Sequence, residues 1–190
     1  MATFDVEVFL YLHHALAPFL LVAAVLSAIG GGWGALFVLP MFATARYRLM
    51  ARALAYVLVL DAITVYGLKN LVARVRPCGC LPEVHALVFG TPTDYSFPSG
   101  HSAGSFAFAV FFAVVLVRGG ERASALRIGG AGALVLLALG VGLSRIALGV
   151  HFPGDVLAGA ILGSTIGGVG ASLYLRSTAP RVIPIVPDSA

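Results

Sequence analysis

Lys69 and Arg76 stand seven residues apart in front of Pro77, Ser99-Gly100-His101 opens a long apolar run, and Ser144-Arg145 is followed by His151 and Asp155. Seven residues are about two helical turns, so Lys69 and Arg76 share a face if their helix persists to Pro77, where a ring without an N–H stops it. Ser99 and Gly100 fall at a helix N-terminus, whose free N–H groups and positive dipole end favour an anion, and Gly100 lets the backbone approach closely. His101 then stands beside that anion at the first turn. The spacing of His151 and Asp155 puts a carboxylate within reach of one ring nitrogen if the turn is helical, which fixes the tautomer and turns the other nitrogen outward as a nucleophile or base. Pro153 is well placed at the first turn of the helix that follows. Each stretch also has an ordinary reading: interfacial basic residues snorkel to headgroups, a Ser-Gly pair or an Asp caps a helix, and a His marks a polar edge. Together they bring one Lys, two Arg, two His and a carboxylate from three helix ends, a set that suits a phosphate. Guanidinium forks and a point-charge ammonium then share its oxygens.

The elements that must position these residues are membrane helices. Of the 190 residues, 59% are apolar and 11% charged, which excludes an ordinary soluble domain. Stretches at residues 51–69, 102–118, 128–144 and 156–176 meet or approach the roughly 20 apolar residues that cross a bilayer. A fifth lies between residues 19 and 45, interrupted by Gly30, Gly31 and Gly32. The expected fold is an all-α polytopic transmembrane bundle of five spans, with residues 9–29 as a partly embedded interfacial helix; six spans is the alternative. Residues 1–176 form one domain and residues 177–190, with three prolines, a short flexible cytoplasmic tail. The N-terminus lacks a basic n-region and a small-residue cleavage site, so the apolar segments are expected to remain in the mature chain. Gly159, Gly163 and Gly167 recur every four residues and permit close helix contact.

Eight of the twelve basic residues form three clusters, Arg46, Arg48 and Arg52, then Arg118, Arg122 and Arg127, then Arg176 and Arg181. All fall on one side if the chain alternates, and the bias of basic loops makes that side cytoplasmic. Lys69, Arg74, Arg76 and Arg145 are left at the outer face, where the bias gives no reason for them. The acids expected there, Glu83, Asp94 and Asp155 with Asp5 and Glu7, do not cluster into an oxygen cage for Mg²⁺, so metal-free chemistry without a cofactor is expected. Cys78 and Cys80 are too close for an unstrained disulfide, and with His85 alone nearby they are too few for zinc. Small residues in an outer loop is their expected role.

In these residues the sequence resembles the type 2 phosphatidic acid phosphatase family. The family pattern is met at Lys69, Arg76 and Pro77, at Pro98, Ser99, Gly100 and His101, and at Ser144, Arg145, His151 and Asp155, all eleven positions in order and at family spacing. The resemblance implies a helical bundle whose site opens to the outer face of a bacterial inner membrane, periplasmic or extracellular, with a site pattern shared by soluble vanadium haloperoxidases. It implies that Lys69, Arg76, Arg145, Ser99 and the Gly100 N–H hold the phosphoryl group, that His151 oriented by Asp155 attacks phosphorus, and that His101 protonates the leaving oxygen. Pro98 and Ser144 shape the backbone. Arg74 has no place in the pattern and is expected against lipid headgroups. The implied substrate is a lipid phosphate or pyrophosphate, with polyprenyl pyrophosphate and phosphatidylglycerol phosphate ahead of phosphatidic acid and lipid A phosphates. A lipid phosphotransferase would use the same residues, and a transporter or lipid-binding protein would use the cradle without chemistry. The bilayer is the expected surroundings, nucleic acid is not an expected partner, and the oligomeric state is not legible.

Overall fold

The structure, a computed structural model, describes residues 3–33, 40–88, 90–120 and 124–178, without the side chains of residues 32 and 33. Helix α1 (Thr3–Leu16) passes through a 3-10 turn at Ala17–Phe19 into α2 (Leu20–Ala28), which ends in a π-helical turn, Ile29–Trp33. Helices α3 (Arg48–Val72), α4 (Pro77–Cys80), α5 (Gly100–Arg118), α6 (Ala125–Ala147) and α7 (Pro153–Thr178) follow. Among the described residues, five helical stretches are long and apolar enough to cross a membrane: Thr3–Gly31, Ala45–Cys80, Gly100–Arg118, Ala125–Ala147 and Pro153–Thr178. The polytopic helical bundle expected from composition is therefore the fold. Leu21, Tyr56, Leu126 and Leu157 point outward, as side chains facing acyl chains do without penalty.

The helix expected at residues 9–29 is part of a longer apolar stretch, Thr3–Gly31, which is itself long and apolar enough to cross a membrane. Pro18 and the glycines at 30–32 are accommodated in it by a 3-10 and a π turn. The fifth span was placed between residues 19 and 45, of which 34–39 lie outside the described residues, as do Arg122, Arg181 and residues 179–190 of the tail.

Helix α5 is the centre of the bundle, packed on α6, α7 and α3. Its contact with α7 depends on the glycine stripe. A Cβ added at Gly159, Gly163 or Gly167 would collide with the backbone carbonyl of Ser99, Ala103 or Ala107 respectively. Lipid provides no hydrophobic drive between helices, so backbones in near contact supply the dispersion that holds them together. The consequence lies at the ends: the Ser99 N–H donates to the Asp155 carbonyl at 3.0 Å, and the Ser102 hydroxyl donates to the Val156 carbonyl at 2.8 Å. At the opposite end Ala51, Leu54, Val57, Ala107, Phe111 and Ala171 form an apolar core. The chain alternates, so the C-terminal ends of α3 and α6 meet the N-terminal ends of α5 and α7.

This packing predicts different outcomes for two identical substitutions. Gly163→Ala adds a methyl against the Ala103 backbone, whereas Gly132→Ala on α6 meets nothing within 4 Å. Overpacking costs about 1–3 kcal/mol, so Gly163→Ala should lower the melting temperature in detergent while Gly132→Ala leaves it unchanged or slightly raised. Equal losses at both positions would contradict the close contact.

Candidate functional site

The site is assembled from five helix ends. Lys69 lies in the last turn of α3, but that helix stops at Val72, short of Pro77. Ala73 adopts a left-handed φ of 49° and its N–H donates to the Lys69 carbonyl at 2.9 Å, closing the helix. Residues 74–76 then run outside the helix, so Arg76 reaches the site from the N-cap of α4 rather than from a face shared with Lys69. Ser99 caps α5 by accepting from the Ser102 N–H at 3.4 Å. The first-turn N–H groups of Gly100 and His101 have no intrahelical acceptor. Arg145 ends α6, and Gly149, at φ 77°, turns the chain back so that the His151 N–H donates to the Arg145 carbonyl at 3.3 Å. A Cβ at Gly149 would lie 2.8 Å from the His85 carbonyl oxygen. Only glycine fits that turn without strain.

His151 is buried, with its two nitrogens in different company. Nδ1 lies 3.6 Å from Asp155 Oδ2 and 3.4 Å from the Ser96 hydroxyl. Nε2 lies 3.0 Å from Arg76 Nη1, and since a guanidinium only donates, Nε2 is the acceptor and Nδ1 carries the proton. Burial pushes the His151 pKa down to about 4 against the pull of Asp155, and the Arg76 charge acts in the same direction as burial. The ring is therefore neutral above that pH, with its lone pair toward the cationic side of the site. Asp155 is fully buried; its Oδ2 also accepts from the Ser96 hydroxyl and from the Phe152 N–H at 2.9 Å.

The three cations are each held by the protein. Arg76 donates to the carbonyls of Val150 at 2.8 Å and Asp94 at 2.9 Å. Lys69 donates to the Tyr95 carbonyl, and the Asp94 carboxylate spans both cations, 2.9 Å from Lys69 Nζ and 2.7 Å from Arg76 Nη2. Burial alone would raise Asp94, but Lys69 and Arg76 hold it down at about 2. Its side chain is nonetheless 55% exposed. Arg145 donates to the Ser27 hydroxyl on α2 and keeps a buried Nε–H without a partner among the described residues. His101 reaches toward the π turn; a Cβ at Gly31 would lie 3.3 Å from its Nε2. The structure thus brings Lys69, Arg76, Ser99, Gly100, His101, Arg145, His151 and Asp155 to one end of the bundle. Ser99 arrives with its hydroxyl oxygen engaged as a cap. Among the described residues no three His, Cys, Asp or Glu side chains are grouped to hold a metal.

Arg74 is not a headgroup contact. Its Nη1 pairs with Asp155 Oδ1 at 2.7 Å and its Nη2 with Asp5 Oδ2 at 2.6 Å, while the guanidinium lies 4.2 Å above the Phe152 ring. The early end of α3 turns Arg74 inward, and the N-terminal helix meets it: Asp5 Oδ1 accepts from the Gly154 N–H at 2.9 Å and Phe9 packs edge-on against Phe152. Arg74, Asp5, Ser96, Asp94 and Ser27 were all missed by reading the sequence. The one available signal was Arg74 itself, a base on the outer face two residues from Arg76.

Comparison with known proteins gives concordant likenesses. The family model described as the PAP2 superfamily matches residues 50–179. The decaprenylphosphoryl-5-phosphoribose phosphatase of Mycobacterium tuberculosis (strain ATCC 25618 / H37Rv) is 36% identical over 141 residues, covering 73% of this chain and 69% of that protein. The lipid A 4'-phosphatase of Bacteroides thetaiotaomicron is 32% identical over 151 residues, covering 71% of this chain and 61% of that one. The crystal structure of Aquifex aeolicus LpxE superposes with a TM-score of 0.66 at 29% identity, over 88% of this chain and 94% of that chain.

Removing Arg74 leaves Asp155 buried beside a neutral imidazole. Breaking one side of such a pair costs about 3–5 kcal/mol, so Arg74→Ala should melt well below the wild type and Arg74→Lys in between. The same site gives a sign for pH: His151 takes up a proton near 6.5 when unfolded but only near 4 when folded. Its contribution to stability is complete above pH 6.5 and is lost as pH falls toward 4. Wild-type melting of Arg74→Ala would show that the ion pair carries nothing.

Proposed function

This chain belongs to the PAP2 superfamily and is a membrane hydrolase of lipid phosphates, and from that premise we propose that it works without a metal, through a phosphohistidine at His151, at the outer face of a bacterial inner membrane. One observation carries the mechanism: a buried, neutral imidazole with its protonated nitrogen toward Asp155 and its lone pair against Arg76. A phosphoryl group bound by Lys69, Arg76 and Arg145 places phosphorus where that lone pair points. Its oxygens take over the Arg76 donor now directed at Nε2 and displace the Asp94 carboxylate, which is half-exposed and free to swing away.

The bond from His151 Nε2 to phosphorus forms as the bond from phosphorus to the lipid oxygen breaks. His101 protonates that oxygen. Positive charge developing on the imidazole is balanced by Asp155, itself held by Ser96 and Arg74. The cations and the first-turn N–H groups of α5 stabilise charge on the equatorial oxygens. In the second step His101 removes a proton from water, the water oxygen bonds to phosphorus, and inorganic phosphate leaves as His151 is restored. Ser99 joins the binding set through its hydroxyl proton, since its lone pair caps the helix.

The substrate class we propose is a lipid phosphate or pyrophosphate: polyprenyl pyrophosphate, phosphatidylglycerol phosphate or phosphatidic acid. Support comes from a cavity of about 610 Å³ that begins at Lys69, Asp94 and Gly100 and descends between α3, α5 and α6 to Leu134 and Leu137. Its apolar walls suit a lipid that enters sideways and leaves its phosphate at the polar end.

Loss of the acid should depend on the leaving group. General acid catalysis is worth roughly 10²–10⁴-fold, so His101→Ala should lose far more kcat/KM on an alkyl phosphate than on p-nitrophenyl phosphate, whose leaving group departs without a proton. Chelator should leave both wild-type rates intact, and an impermeant thiol reagent should label the exposed Cys80 in intact cells. Equal losses on the two esters would remove His101 from the acid role, activity abolished by chelator and restored by Mg²⁺ would overturn metal independence, and labelling confined to broken cells would reverse the orientation.

A further inference from the structure

The cavity wall holds a carboxylate that the reaction above does not use. Asp61 lies in α3, eight residues before Lys69 and so about 12 Å of helix rise below it. It is 4% exposed, and its Oδ1 has no hydrogen-bond partner among the described residues. Gly104 on α5 adjoins it on the cavity wall, where a Cβ would sit 3.9 Å from Oδ2. Asp61 and Ser105 interrupt a wall otherwise made of such residues as Leu58, Ala62, Phe108 and Val141. Within a membrane helix an ionisable side chain is expensive and normally marks a function. Among the described residues no basic partner accounts for it: the cations of the site are engaged by Asp94, Tyr95, Val150 and Ser27 at the polar end.

We propose that Asp61 is a specificity-determining residue that receives a hydrogen bond from a hydroxyl or amide N–H of the lipid substrate, carried between its phosphate and the end of its tail. The inference rests on the phosphatase reading above, because the bound phosphate fixes which part of the lipid lies beside Asp61. An unpartnered carboxyl oxygen calls for a donor. A second anionic group would be repelled by it, and none of the lipid phosphates proposed above carries an ammonium, which leaves a neutral donor. A lipid bearing a hydroxyl on its acyl chain, or an amide-linked chain, satisfies the oxygen. A wholly hydrocarbon tail leaves it unsatisfied, and sites that bind a substrate hydroxyl reject analogues lacking it because their own polar group is then stranded.

The test needs only two lipids with the same phosphate: phosphatidic acid with 3-hydroxyacyl chains, and phosphatidic acid with unsubstituted chains, each in detergent micelles. The wild-type enzyme should favour the hydroxylated lipid by about ten-fold or more in kcat/KM. In Asp61→Leu the ratio between the two lipids should collapse toward one, whatever the absolute rates, and Asp61→Asn, which keeps an acceptor oxygen, should retain part of it. Equal wild-type rates on the two lipids, or a ratio that survives in Asp61→Leu, would overturn the assignment. The wild-type ratio decides even if the leucine variant fails to fold. Phosphate released from both lipids at equal rates would sink Asp61's role alone, whereas release from neither, nor from any other lipid phosphate, would sink the phosphatase reading beneath it.

Discussion

A charge at the edge of a bilayer persists only where its partners are fixed by the fold. The site depends on this throughout. Asp155 is fully buried and has three donors, Arg74, Ser96 and the Phe152 N–H, with the His151 ring 3.6 Å away. Without them the carboxyl would have to neutralise itself, and a neutral Asp155 could not support positive charge on His151. The cations face the same requirement from the other side. Arg76 rests on the Val150 and Asp94 carbonyls, Lys69 on Tyr95 and Arg145 on Ser27, so each is already positioned when a phosphate arrives. Preorganised donors of this kind need no reorganisation during reaction, which is where electrostatic catalysis gains most.

Packing makes those partners permanent. The glycine face of α7 lets its backbone touch α5, which fixes Asp155 beside the Ser99 N–H. The Gly149 turn brings His151 back under Arg145, and Phe9 and Asp5 of the first helix cover Phe152, Arg74 and the start of α7. What the packing leaves adjustable is the contact with Asp94, on a loop and half-exposed, and the Arg76 donor shared with His151 Nε2. Those two contacts are the ones a phosphoryl group would replace in the proposed reaction. Rigidity thus falls on Asp155 and the imidazole, and freedom on the groups that trade partners.

Much of this was legible in the sequence because it is local. The His151–Asp155 pair and the capping Ser99 lie within a turn of a helix start, the glycine repeat follows one helix face, and the bundle follows from composition. The rest required distant contacts. Nothing in the sequence joins Arg74 to Asp5, 69 residues away, or Arg145 to Ser27, 118 residues away. The expected common face for Lys69 and Arg76 failed because the helix ends at Ala73, a residue with no propensity for the left-handed conformation it adopts. The N-terminal helix extends beyond residues 9–29 because proline and glycine are absorbed there by a 3-10 and a π turn. Asp61 gains its meaning only from the structure, with the cavity beside it.

The proposed reaction turns on the identity of the nucleophile, which acid quenching of the enzyme during turnover of a radiolabelled lipid phosphate would reveal. An acid-labile, base-stable phosphoryl group should map to the peptide carrying His151. It should be absent in His151→Ala and should accumulate in His101→Ala on a substrate whose leaving group needs no proton, because water is no longer activated. A phosphohistidine that forms in His151→Ala but not in His101→Ala would reverse the two roles and contradict the geometry read from Asp155, His151 and Arg76.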